Sequence, residues 1–249
     1  MVGAMMGGMD RDDLRTVVEW TRRYLPPEYP RVIEGLVENA KQDPTLSGLL
    51  LTGSIARQDA LPGTDIDVRY FGRSERPPSF DRGFRDELLV EQTFTDERSA
   101  LATLNENPMH VYAYLDGRVL YDTDGTLPWL RAEADRVFRN YQAPAQLKTD
   151  IAEDLRHVED KARVGVEAGD LFRAVYCIST SSWRLIEGLW AANDLPLPPN
   201  SSVRPHLGDL QGPEDVRILF ELLFTGELQE RAEAGLHLVS WVRRRLLTV

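Results

Sequence analysis

The chain has a single cysteine, Cys177, among 249 residues. It can form no intramolecular disulfide framework and no four-cysteine zinc site. Histidine is scarce as well: His110, His157, His206 and His237 are scattered and make no short metal-binding pair such as His-x-x-x-His. Ser179, Ser181 and Ser182 lack the Gly-x-Ser-x-Gly elbow of a serine nucleophile. The apolar runs fall well short of the roughly 20 residues that a membrane span needs. Met1 to Met9 is small and apolar, but too short for a signal peptide and without a basic start, so a disordered leader and a cytoplasmic location are expected. Basic residues are also in deficit. Twenty-nine against 40 acidic residues give a net charge of −11, which argues against a nucleic-acid partner, whose binding rests on neutralised phosphates. The same acidity is compatible with a cationic small substrate.

What is present divides near Pro144. Residues 11–24 and 30–42 read as amphipathic helices separated by the breaker Pro26-Pro27-Glu28-Tyr29-Pro30. Short apolar runs at 49–52 and 65–71 read as strands. A loop holding Arg76-Pro77-Pro78 follows, then a strand over 88–94 and a helix capped by Asp96 and running through Leu104. Asp116-Gly117, between His110–Leu115 and Arg118–Tyr121, predicts a β-hairpin. A helix over about 128–140 closes the first part. Beyond it only helices are expected, at 147–168, 170–193, 213–224 and 227–247. The pattern predicts an α/β domain over 1–143 and a helical bundle over 144–249.

The chemistry concentrates in one segment. Leu49-Leu50-Leu51-Thr52 runs into Gly53-Ser54, ten residues intervene, and Asp65-Ile66-Asp67 opens the second strand. Strand side chains alternate, so Asp65 and Asp67 share a face. Neighbouring carboxylates repel unless a cation neutralises them, and Mg²⁺ held by one or two carboxylates plus substrate phosphates is the usual arrangement. Gly53 lets backbone approach a phosphate, while Ser54 and the N–H groups after it donate to it. Arg57, about one helical turn beyond Ser54, is either a fixed positive charge for a triphosphate or a surface arginine.

This constellation resembles the nucleotidyltransferase superfamily related to DNA polymerase β, whose signature is Gly-Ser or Gly-Gly, a spacer of about this size, and Asp-x-Asp. Gly117-Arg118-Val119-Leu120-Tyr121-Asp122 with Gly125 is similar to the last strand and turn of many small-molecule nucleotidyltransferases. Gly169-Asp170, opening a long helix after Lys161, is similar to their helical C-terminal domain. That group includes the aminoglycoside and lincosamide antibiotic nucleotidyltransferases. One departure stands out: Asn200-Ser201-Ser202-Val203-Arg204 replaces the lysine that some relatives carry after the proline-rich connection.

The resemblance implies an α+β fold, a mixed-sheet nucleotidyltransferase domain followed by an all-α helical bundle, with the site in the cleft between them. It implies transfer of a nucleoside monophosphate, AMP from the co-substrate ATP with two Mg²⁺ ions, to a hydroxyl of a small and in some relatives cationic acceptor such as an aminoglycoside. Asp65 and Asp67 become metal ligands. A third acid completes such sites, and Glu91 is the candidate because Leu88, Val90 and Phe94 can face the core while Glu91 faces away; Glu87 is the runner-up. Glu91 then either binds metal or takes the proton of the attacking hydroxyl. By the same resemblance Lys161 is a candidate for the C-terminal-domain lysine that some relatives place on the phosphates, the alternative being a solvent-facing helix lysine. Two rival readings are an antitoxin-type transfer of AMP to a partner protein and a nucleotide-binding regulator without catalysis.

Overall fold

A computed structural model describes residues 13–74, 78–213 and 215–248. The expected leader, Arg76 and Pro77 of the expected loop, and Glu214 of an expected helix lie outside these residues. The described residues form two compact units divided between Phe138 and Arg139, the last residue of the helix at that boundary.

The first unit holds α1 (Asp13–Tyr24), α2 (Glu28–Gln42), β1 (Leu46–Thr52), α3 (Gly53–Arg57), β2 (Ile66–Gly72), β3 (Ser79–Arg85), β4 (Leu88–Asp96), α4 (Glu97–Glu106), α5 (Val111–Leu115), β5 (Arg118–Asp122) and α6 (Thr126–Arg139). Its five described strands form one mixed sheet in the order β3-β4-β2-β1-β5. Only β2 and β4 run parallel; the other neighbours are antiparallel. Every residue of β1 is buried, because it lies inside the sheet with packing on both faces. Leu49 and Leu51 face α1 and α2, meeting Val17, Ile33 and Leu36. Leu50 faces the other way, with Phe71 of β2, against Leu104, Tyr112, Tyr114 and Leu130 from the later helices.

Two local expectations are corrected. His110–Leu115 is not a strand: it forms a short 3₁₀ turn followed by α5. Asn107 starts this turn by accepting a hydrogen bond from the Met109 N–H at 3.1 Å, and Val111, Tyr112 and Tyr114 then bury themselves under the sheet. Gly117 is there for close packing rather than for a hairpin turn. A Cβ on it would lie 2.5 Å from the Ala113 carbonyl oxygen and 2.9 Å from Leu50 Cδ1. The second correction is β3, read from sequence as loop. It is an exposed edge strand joined to β4 through Asp86 and Glu87, both at positive φ (47° and 66°), a primed turn made without glycine.

The second unit contains only helices among its described elements: α7 (Ala145–Glu167), α8 (Leu171–Thr180), α9 (Ser182–Ala192), α10 (Val203–His206), α11 (Val216–Thr225), α12 (Leu228–Leu247) and short 3₁₀ turns. The helix expected over 170–193 breaks at Ser181. There Thr180 Oγ1 bonds the carbonyls of Tyr176 and Cys177, the competition that serine and threonine offer a helical backbone. Trp190, Leu189, Ile151, Leu155, Leu238 and Val242 centre its core. Glu159 is buried within it, and its carboxylate accepts from Ser240 Oγ at 2.5 Å, from Arg163 at 2.5 Å and from Arg243. The molecule is therefore an α+β mixed-sheet domain followed by an all-α region. No described helix is long and apolar enough to cross a membrane.

Candidate metal centre

β1 ends at Thr52, and the chain turns at once into the five residues of α3. Gly53 makes that turn with φ at +71°, a conformation that costs glycine little and other residues more. Ser54 follows, its Oγ 3.0 Å from Thr64 Oγ1. Thr64 sits just before Asp65, so this contact ties the two ends of the ten-residue spacer together. A second tie comes from α2. Tyr29 is fully buried; its hydroxyl donates to the Thr64 carbonyl at 2.7 Å and accepts from the Gly63 N–H at 3.0 Å. The loop that delivers Asp65 is thus fixed to the helical layer beneath the sheet.

Asp65 precedes β2, and Asp67 lies within it. Parallel pairing of β2 with β4 sets Asp67 directly opposite Glu91. Asp65, Asp67 and Glu91, all half-buried, each offer a carboxylate oxygen within 4.8 Å of the others. The strain of this gathering shows at Asp67. Burial, then Asp65, then Glu91 push its pKa up to about 6, against the opposing pull of Arg69 and Arg57. Three carboxylates so placed fit a hard divalent cation with oxygen ligands, such as Mg²⁺, and Gly53 keeps the space beside Asp67 clear of any side chain.

The other expected residues sort themselves around this cluster. Arg57 ends α3, its side chain only 9% exposed and its Nε 3.2 Å from Asp59 Oδ2; its charge reaches Asp67. Glu87 occupies the β3–β4 turn and is no member of the triad. Lys161 lies exposed on α7 of the helical unit. Two neighbours lie outside the sequence expectations. Arg82 of β3 pairs opposite Glu91, with its Nε 3.2 Å from Glu91 Oε1. Arg69 continues the Asp65–Asp67 alternation onto the same face, its guanidinium 5.6 Å above the Tyr114 ring. Burial and then Arg69 lower the pKa of His110. Arg69 was legible in the period-2 pattern after Asp67; Arg82 was not, because β3 has no apolar alternation.

No protein-family model matches the chain, and no curated protein does. Among solved structures, the chain is similar to a nucleotidyltransferase-like protein from Exiguobacterium sibiricum 255-15, with 16% identity and a TM-score of 0.36, over 92% of this chain and 74% of that one. Function must therefore be derived from the residues of this chain.

Proposed function

We propose that the protein is a metal-dependent nucleotidyltransferase that moves a nucleoside monophosphate, AMP from ATP, onto a hydroxyl of a small molecule. The observation that carries this reading is the convergence of Asp65, Asp67 and Glu91 within 4.8 Å beside a glycine turn. A bound divalent cation would supply electrostatic stabilisation of the charge that develops on the transferring phosphoryl group. Asp65 and Asp67 would hold it. Gly53 and Ser54 offer backbone N–H groups and a hydroxyl to the outer phosphates, and Arg57 adds a positive charge nearby. Glu91 is placed to take the proton from the attacking hydroxyl. That oxygen bonds to the α-phosphorus as the bond to the bridging oxygen breaks, its electron pair leaving with pyrophosphate.

The test is an acceptor screen with α-labelled ATP and Mg²⁺, following both pyrophosphate release and label transfer, beside calorimetry of ATP binding with and without EDTA. Label transfer to a hydroxyl compound, with ATP affinity that collapses in EDTA, supports the reading. Equal ATP affinity in both conditions would remove it.

A further inference from the structure

Two members of the triad, Asp67 and Glu91, belong to a row that crosses four strands. Thr52 pairs with Asp67, Asp67 with Glu91, and Glu91 with Arg82 on the edge strand β3. Successive members are one strand spacing apart, about 4.8 Å. Phosphoryl transfer places attacking and leaving oxygens on opposite sides of the phosphorus, roughly in line. The inference rests on the nucleotidyl-transfer reading above, in which pyrophosphate leaves at Gly53 and Ser54, the Thr52 end of the row. The acceptor then enters from the opposite end, past Glu91, over Arg82.

That end has an unusual surface. Phe80, Arg82 and Phe84 alternate along β3 and share the face of Glu91. Phe80 is 62% exposed and Phe84 77%. The apolar cluster that covers this face over β1 and β2 includes Leu50 and Phe71 but no described residue of β3 or β4. Edge strands are ordinarily protected by charge, and exposed apolar side chains on them invite aggregation, so two bare phenylalanines flanking an arginine beside a metal centre call for a ligand. Arg82 is paired with Glu91. The Arg82 side chain is still 58% exposed, so its guanidinium can meet a second anion while it holds Glu91.

We propose that Phe80, Arg82 and Phe84 form the acceptor subsite, and that the acceptor is a small ring-bearing hydroxy compound with an anionic group rather than a polycation. The ring lies against phenylalanine, the anion meets Arg82, and the hydroxyl reaches Glu91. A polycation would meet Arg82 with like charge.

Binding of three probes to the full chain tests this, in the presence of Mg²⁺ and the non-hydrolysable ATP analogue AMPCPP: 4-hydroxybenzoate, the neutral 4-hydroxybenzyl alcohol, and neomycin. NMR titration should show 4-hydroxybenzoate binding about tenfold more tightly than the alcohol, and R82A, F80A and F84A each weakening it about fivefold or more. Both phenylalanine variants should bind Mg·AMPCPP within about twofold of the native chain, since Phe80 and Phe84 pair opposite Thr93 and Leu89 rather than a triad residue. Neomycin binding as tightly as 4-hydroxybenzoate would overturn the subsite. So would unchanged affinity in the three variants, or no 4-hydroxybenzoate binding by a chain that binds Mg·AMPCPP. A chain that fails to bind Mg·AMPCPP at all removes the nucleotidyl-transfer reading and this inference with it, and is recognised by that separate measurement.

Discussion

Gly53 and Asp67 compete for one volume: a Cβ at position 53 would overlap Asp67 Oδ2 and lie 3.1 Å from its Cγ. The glycine thus serves twice, as the left-handed turn out of β1 and as the space in which the Asp67 carboxylate stands. Gly53→Ala should lose about 1–3 kcal/mol from the strained backbone alone. It should also weaken Mn²⁺ binding at least about tenfold, because Asp67 must move aside. Thermal melting and Mn²⁺ titration followed by electron paramagnetic resonance check the two effects separately. A variant that binds Mn²⁺ normally would show that Asp67 is not held by this contact.

The raised pKa of Asp67 sets a pH dependence. In the metal-free chain this group titrates at about 6, against 3.8 for an unperturbed aspartate. Its folded-state pKa lies above the unfolded one, so its contribution is fully present below about pH 4 and is lost as pH rises through about 6. The loss is at most on the order of 2–3 kcal/mol for a shift of this size. Asp67→Asn should abolish that part of the profile, and Mg²⁺ should offset it in the native chain. Melting temperatures of both proteins from pH 4 to 7.5, with EDTA and with Mg²⁺, measure it; parallel profiles would contradict the assignment.

Turnover should separate the three acids from ordinary surface residues. Asp65→Asn and Asp67→Asn are each expected to lower label transfer by about 10²–10³-fold, the usual scale for a lost electrostatic contact in the transition state. Stability should hold or rise as repulsion is relieved. Glu91→Gln should cost at least roughly a hundredfold in turnover, as for a positioned acid–base group, with little change in ATP affinity. An Asp67→Asn chain with full transfer activity would end the nucleotidyltransferase reading.

Tyr29 offers a test away from the acidic cluster. Tyr29→Phe removes the hydroxyl that joins the Gly63 N–H to the Thr64 carbonyl. Leaving both backbone groups without that partner costs about 1–3 kcal/mol. Hydrogen exchange should accelerate across residues 59–65, and Mn²⁺ affinity should fall because Asp65 loses its anchor. Unchanged exchange in this loop would limit Tyr29 to core packing.

The helical unit has its own pH-sensitive contact at Glu159. Burial alone would raise its pKa, but hydrogen bonds from Ser240, Arg163 and Arg243 bring it down to about 2. A depressed carboxylate stabilises above its unfolded value, 4.5, and that stability is lost as pH falls toward 2. Glu159→Gln should destabilise by up to about 3 kcal/mol at pH 7, since it removes the carboxylate partner of Arg243, which keeps only its bond to the Ala152 carbonyl among its described contacts. Arg163 is more exposed and water compensates it in part. The difference from the native chain, followed by urea unfolding, should shrink below pH 4.

Local physics makes much of this protein legible in its sequence. Asp65 and Asp67 share a face through strand alternation, Glu91 is set apart less cleanly because Leu89 shares its face, and the break at Gly53 between an apolar run and a short helix follows from glycine's freedom at positive φ. The change from mixed to helical pattern near Pro144 is likewise written in the spacing of apolar residues. His110–Leu115 misleads because alternating tyrosines suit a strand as well as a buried helical turn, and only the sheet above them selects the helix. β3 misleads for the opposite reason: an edge strand needs no apolar face, and its turn uses Asp86 and Glu87 where glycine or asparagine would have signalled it.

The acidic residues on offer, and which way each faces along its own strand, follow from the order of amino acids, because period and backbone preference act over a few neighbours. Long-range packing is what sets Asp67 opposite Glu91 across a parallel pair, brings Arg82 to the end of the row, and makes Tyr29 the anchor of the loop before Asp65. Tyr29 and Gly63 stand 34 positions apart in sequence, and the row through Asp67, Glu91 and Arg82 spans three strands. Register between strands is set by the packing of whole faces, and no local signal along one strand specifies its neighbour.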